Sequence, residues 1–275
     1  MNPADATSPA AADATGQADA GTASAPPASR ALSFDRAAAQ YAAARPGYPP
    51  ALLDAVEELA RRPLRGARAA DIGAGTGIAT RLLHERGARV TAVEPGAGMA
   101  AELHRALPHL PVVRGDGNRL PLATASADLI TYAQSWHWTD PVLAAVEAVR
   151  VLRPGGALAL WWNVSDHAVP WVAEQDARLR RFLGAGESAH GSPALARELP
   201  PALGFAHRLL PWTRRVSLDT HLANLASHSA FLVIGDAPTR RFLAGERDHL
   251  TKVFPDGTVE ETYTVQLYVA ISPAS

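Results

Sequence analysis

The run Ala69-Ala70-Asp71-Ile72-Gly73-Ala74-Gly75-Thr76-Gly77 decides the fold: a short apolar strand enters a tight glycine turn and leaves it as a helix. Alternating glycines let the backbone turn sharply off the carboxyl end of the strand and keep side chains from standing between it and a ligand. The helix expected from Gly77 to Glu85 turns its free N–H groups and positive end toward the turn, which suits an anionic or strongly polar ligand group. A dinucleotide turn wants GxGxxG, and after Gly73 and Gly75 the next glycine position falls on Ile78, so the spacing is wrong for NAD or FAD. The pattern present is DxGxGxG, from Asp71 to Gly77.

Working outward, Arg89 to Val93 reads as a second strand that delivers Glu94 to its carboxyl end. A carboxylate there can accept from both hydroxyls of a ribose. Pro95-Gly96-Ala97-Gly98-Met99 then opens a helix. Leu110 to Val113 reads as a short third strand ending in Arg114-Gly115-Asp116-Gly117-Asn118, where an Asp can accept from an adenine amino group. Ala127 to Ala133 is the fourth strand. It runs into Gln134-Ser135-Trp136-His137-Trp138, an aromatic and imidazole cluster at the end of a sheet where open α/β folds place ligands. Asp140 caps and Pro141 starts a helix whose Val142, Val146 and Val149 are expected to face the sheet. Arg153-Pro154-Gly155-Gly156 stops it, and Ala157 to Trp162 reads as a fifth strand buried on both faces.

These strings resemble the motifs of the class I S-adenosylmethionine-dependent methyltransferases. The resemblance implies an α/β, Rossmann-like fold: a mostly parallel seven-stranded sheet of order 3-2-1-4-5-7-6, the last strand antiparallel, with helices on both faces. It implies that S-adenosyl-L-methionine binds at Asp71, Gly73, Gly75, Gly77, Glu94, Met99, Asp116, Gly117 and Ala133, leaving as S-adenosyl-L-homocysteine. Met99 would pack on adenine. "GDxxxLP" from Gly115 to Pro121 matches the adenine motif, with Gly117 at a position more often alanine. Upstream, Tyr41-Ala-Ala-Ala-Arg45-Pro46-Gly47-Tyr48-Pro49 is similar to a signature of small-molecule methyltransferases like trans-aconitate methyltransferase. By that likeness Tyr41, Arg45 and Tyr48 line the mouth of the substrate pocket. Trp136-His137-Trp138 resembles the HW motif after the fourth strand of the same group, and its location makes Trp136 and Trp138 candidate pocket walls and His137 the candidate general base for a protonated nucleophile, with Arg45 instead orienting a carboxylate if the substrate is acidic.

At 275 residues the chain suits one sizeable domain with extensions. Residues 1–30 read as a disordered tail poor in large apolar side chains, without a secretory leader. Residues 31–275 read as the methyltransferase domain, with 31–50 as an amino-terminal lid and 163–204 as a cap insertion. A short helix is expected from Ser33 toward Ala44, and others at Ala51 to Arg62, Trp171 to Leu183, and starting at Thr220 and at Thr239. Phe205 to Val216 reads as a strand interrupted by Pro211. From Val259 to Ile271 apolar residues alternate with mainly polar ones, broken at Glu261, the pattern of a closing antiparallel strand.

A formal net charge of -1 gives no footprint for nucleic acid or an anionic membrane. With no cysteine there is neither a disulfide frame nor a thiolate site, and no metal cluster is expected; the cytoplasm is the default compartment. The expected function is methyl transfer to an O, N or C nucleophile of a small metabolite, without nucleic-acid or membrane partners. The alternative is a binding protein or partner subunit that keeps the cofactor shelf and lacks catalysis.

Overall fold

The computed structural model describes residues 44–184 and 199–273. The expected tail, the helix at Ser33, most of the lid including Tyr41, and the 185–198 part of the cap lie outside the described residues.

The chain builds α1 (Ala51–Ala60), β1 (Arg68–Ile72), α2 (Ile78–Glu85), β2 (Arg89–Glu94), α3 (Ala97–Ala106), β3 (Val112–Arg114), β4 (Ala127–Ala133), α4 (Pro141–Val151) and β5 (Leu152–Ser165). It continues with α5 (Pro170–Leu183), β6 (Ala206–Ser217), α6 (Leu218–Ala226), α7 (Ser229–Ile234), α8 (Asp236–Val253) and β7 (Thr258–Ile271). The sheet has seven strands in the order β3-β2-β1-β4-β5-β7-β6. β1 to β5 pair in parallel, and β7 runs antiparallel to both neighbours. The expected topology is the observed one. Its reversal between β1 and β4 opens a crevice at the carboxyl ends of those strands, where the glycine turn lies.

One face of the sheet is covered by α1 and α2, whose Leu52, Val56 and Leu83 pack on Leu129, Trp161, Val265 and Leu267. Leu103 of α3 packs with Ala92 of β2. The other face carries α4, and here the sequence expectation fails. Ala144, Ala145, Ala148 and Val151 face the sheet, packed with Tyr132, Trp136 and Trp162. Val142 is 68% exposed and Val146 63%, and Val149 also lies on the solvent side. Both stripes have helical spacing, so period alone does not choose between them. The choice falls to volume: with two indoles filling the layer, the helix packs closest through the small side chains of its three alanines. The cap on α4 is as expected, with Asp140 Oδ1 accepting from Val142 N at 2.9 Å and Leu143 N at 3.1 Å.

β5 begins earlier than expected because Leu152 already pairs with Ala127, and residues 153–156 bulge out before Ala157 takes up register with Leu129. α6 begins at Leu218 because Ser217 Oγ caps it, accepting from Thr220 N at 3.1 Å. α8 likewise begins before Thr239, at Asp236. Pro211 is accommodated because β6 is an edge strand, where a missing N–H is tolerated.

The 163–204 stretch is not a separate insertion. β5 runs through Ser165, and α5 packs against helices from the later 218–253 segment. Leu179 joins Leu225 and Phe231, while Trp171 packs on the cluster of Leu218, Leu222, Leu250 and Val259. Among the described residues no helix is long and apolar enough to cross a membrane.

Candidate functional site

The glycines of the turn have three separate tasks. All have positive φ, at 65° for Gly73, 58° for Gly75 and 89° for Gly77. A Cβ on Gly73 would lie 2.5 Å from Ser135 Cβ, so that glycine lets the β4 exit approach the turn. A Cβ on Gly77 would lie 3.0 Å from Leu103 Cγ, so that one lets α3 close in. At Gly75 a Cβ would meet nothing within 4 Å: here the bare backbone faces open space.

Asp71 sits behind this surface. It has no exposure, and its carboxylate accepts from Thr80 Oγ1 at 2.6 Å and Thr131 Oγ1 at 2.8 Å. It braces β1 to α2 and to β4. Burial pushes its carboxyl up to about 6 against the pull of those hydrogen bonds. Glu94, at the end of β2, accepts from Gly75 N and Gly96 N, each at 2.8 Å. These bonds take two of about four acceptor positions on a carboxylate and fix its direction beside the turn. Thr76 Oγ1 is buried within the turn and has no hydrogen-bond partner among the described residues.

Met99 is buried on the first turn of α3. Asp116 is exposed just past β3, where its Oδ1 closes a turn by accepting from Asn118 N at 2.9 Å. Gly117 is buried, with its carbonyl accepting from Tyr132 Oη at 3.2 Å. A Cβ there would stand 2.8 Å from Thr139 Cγ2, so glycine is the residue this packing takes.

β4 leaves the sheet at Ala133 through a strained step. Gln134 has φ of 57°, uncommon for a side chain of its size, and its N–H donates to Trp161 O at 2.8 Å. Ser135 then donates from Oγ to Ile72 O, tying the ends of β4 and β1 together. Neither residue stood out in the sequence; a polar pair directly after an apolar strand was the available signal. A short 3-10 turn, Trp136–Trp138, follows.

That turn separates the two tryptophans. Trp136 has no exposure and meets Tyr132 edge-on at 4.9 Å, so it belongs to the core under α4 and not to the pocket wall. Trp138 is partly exposed and lies 4.5 Å from the His137 ring. Tyr48 packs edge-on against Trp161 at 5.9 Å.

His137 is placed differently from a general base. Its Nδ1 accepts from Trp162 Nε1 at 3.2 Å, and an indole N–H can only donate. The ring proton of the neutral form therefore sits on Nε2. Burial, with the Arg45 charge adding to it, pushes the imidazole down to about 4, so the ring is neutral at pH 7. With one nitrogen committed as acceptor and the other carrying the proton, His137 presents a donor.

Arg45 donates from Nη2 to Ser227 O at 3.3 Å, linking the amino-terminal loop to the end of α6. Asn163 completes that attachment: its Nδ2 donates to Gly47 O at 3.0 Å and its Oδ1 accepts from Trp212 Nε1 at 3.0 Å. It was not singled out in the sequence, because its partners lie far away along the chain. Under α6, Glu261 of β7 is buried and bonded to Arg214, to His221 at 2.7 Å and to Tyr263 at 2.9 Å. Burial alone would raise its carboxyl; the His221 and Arg214 hydrogen bonds and charges outweigh that and hold it at about 2.

Residues 70–160 match the methyltransferase domain family. The chain is 44% identical over 200 residues to an uncharacterized methyltransferase of Mycobacterium tuberculosis, covering 72% of this chain and 77% of that protein. It is 40% identical over 129 residues to demethylmenaquinone methyltransferase of Beutenbergia cavernae, 46% of this chain and 53% of that one. A solved structure of a candidate type II methyltransferase from Anaeromyxobacter dehalogenans superposes with a TM-score of 0.60 at 28% identity, covering 84% of this chain and 99% of that one. Sheet order, glycine turn and likeness agree, and the chain belongs to the class I S-adenosylmethionine-dependent methyltransferases.

Proposed function

We propose that this methyltransferase uses S-adenosyl-L-methionine at the Gly73 to Gly77 turn and methylates an O, N or C nucleophile of a small molecule. The observation that carries the cofactor reading is the open backbone at Gly75, with Glu94 held beside it through the Gly75 N–H. The residues fit the group. Thr76 Oγ1 is a buried hydroxyl without a hydrogen-bond partner among the described residues, and Glu94, held beside the turn by Gly75 N and Gly96 N, is a carboxylate at the strand end where ribose hydroxyls would lie. Met99 and Asp116 would take the adenine end. The small-molecule reading is supported by a protein of near-zero net charge, which offers no footprint for nucleic acid. The 40% identity to an enzyme whose name specifies demethylmenaquinone points the same way.

The cofactor supplies a methyl group on a sulfonium, a leaving group that needs no protonation. The protein is left with placement and exclusion of water. Glu94 and the turn fix the cofactor against β1 and β2. The loop held by Asn163 and Arg45 covers the crevice, and Trp138 supplies an apolar wall. His137 donates from Nε2 to a lone pair of the acceptor and so orients it, replacing the base role expected from its position.

Incubation with S-adenosylmethionine labelled in its methyl group and extracts of small metabolites tests this reading. Label should appear in an acceptor of low molecular mass, and less in Gly75→Val protein. Absence of label from every extract, with cofactor bound, would favour the non-catalytic binding alternative.

A further inference from the structure

Outside the cofactor crevice, the described residues line a partly open cavity between α5, α6, the end of β5 at Ser165 and the neighbouring stretch of β7 around Tyr263. Its walls include Trp171, Val172 and Leu225 on the apolar side and Asn224, His228 and Glu261 on the polar side. The room for the centre of a water-sized group is about 20 Å³. That admits the tip of a molecule and not a whole substrate.

The polar wall has a fixed direction. Tyr263 Oη gives its proton to Glu261 Oε2 at 2.9 Å, so toward Asn224 it can only accept. Asn224 Nδ2 therefore donates to Tyr263 at 3.2 Å, and the amide cannot turn over without losing that bond. Oδ1 is left as an acceptor. It is buried, in a residue only 5% exposed, and has no hydrogen-bond partner among the described residues. A buried acceptor left in that state is costly, and it calls for a donor. The charges nearby are matched: Arg214 pairs with Glu261 and Arg178 with Glu246. A carboxylate would face Asn224 Oδ1 and the Glu261 carboxylate together, and an ammonium gains little where the anions are already paired.

The cavity is tied to the amino-terminal loop: His228 lines it, and the carbonyl of the neighbouring Ser227 accepts from Arg45 Nη2 at 3.3 Å. We propose that the cavity is the far end of the methyl-acceptor site, where Asn224 Oδ1 receives a hydrogen bond from a neutral hydroxyl or amide N–H on an otherwise apolar part of the acceptor. This rests on the small-molecule methyltransferase reading above.

The test titrates benzyl alcohol, benzyl methyl ether and benzoate into the full chain with S-adenosylhomocysteine present, following the Asn224 side-chain amide and the Trp171 indole by NMR. Benzyl alcohol should shift both signals and bind at least fivefold more tightly than the ether or benzoate. Asn224→Leu should abolish that preference. Should that variant not melt cooperatively, Val172→Met fills the cavity with Asn224 intact and should weaken benzyl alcohol at least fivefold. Equal binding of alcohol and ether overturns the proposal, as does an alcohol that leaves the Asn224 amide unmoved, the mark of a cavity that holds only water. Binding of S-adenosylhomocysteine is read in its own titration. Its failure would fall on the cofactor reading, while the alcohol preference tests the cavity directly.

Discussion

Asp71→Asn tests whether the carboxylate behind the glycine turn is held against its ordinary ionisation. In the folded protein burial raises Asp71 from 3.8 to about 6. A raised carboxyl pKa means that the folded state holds the proton more tightly than the unfolded chain does. The resulting stability is complete below the unfolded value and is lost as pH rises through the folded one. At pH 5 the folded state favours the protonated form about tenfold while the unfolded chain is mostly ionised, and at pH 7 almost nothing remains. The loss between pH 5 and pH 7 is about 1 kcal/mol. Asparagine keeps the shape and an oxygen for Thr131 but does not titrate. Urea denaturation of both proteins at pH 5, 6 and 7 gives the difference. His137, which works in the opposite direction over this range, is common to both and cancels, and Glu261 titrates lower. Relative to Asp71→Asn, the wild type should gain about 1 kcal/mol on going from pH 7 to pH 5. Parallel curves would refute the reasoning, since Asp71 would then be ionised throughout.

The packing and the hydrogen bonds carry further expected outcomes. Gly75→Ala should cost roughly 1 kcal/mol in stability, the strain of its positive φ, and weaken S-adenosylhomocysteine binding at least tenfold by calorimetry. Gly73→Ala, driven into Ser135, should instead lower the melting temperature by more than Gly75→Ala does. On α4, Val146→Lys should change stability by less than about 0.5 kcal/mol, whereas Ala148→Leu should cost about 1–3 kcal/mol in chemical denaturation. His137→Gln keeps an N–H donor and should retain turnover within about tenfold; a loss on the order of 100-fold or more would restore the general-base role. Nitrogen-15 NMR of the imidazole should find the proton on Nε2, and Trp162→Phe should release that preference.

What was legible in the sequence is what local chemistry determines. The turn at Gly73 to Gly77, Glu94 at its strand end, the Asp140 cap and the alternation of β7 each depend on a few neighbouring residues, whereas the strand order was implied by the family resemblance those motifs carry. What was not legible depends on partners distant in the chain. α4 carries two apolar stripes, and only the indoles of Trp136 and Trp162 decide that its alanines face inward. The cluster Trp136-His137-Trp138 reads as one aromatic wall, yet the left-handed Gln134 and the 3-10 turn send Trp136 into the core and leave Trp138 outside.

The break in alternation at Glu261 is the instructive case. As pattern it is a defect in an otherwise clean strand; in the structure it is a buried charge bonded to three elements. Arg214 comes from β6, His221 from α6 and Tyr263 from β7 itself, so one carboxylate ties an edge strand and α6 to the closing strand. Through Tyr263 it also fixes which end of Asn224 is the acceptor. A hydrophobic residue at 261 would pack there as well, and replacing a buried ion pair this way is often neutral for stability. It could not orient the amide. The charge at 261 is therefore best understood through the polarity it imposes on the cavity above β7, and Glu261→Gln, which can still accept from Tyr263, should preserve that polarity better than Glu261→Leu.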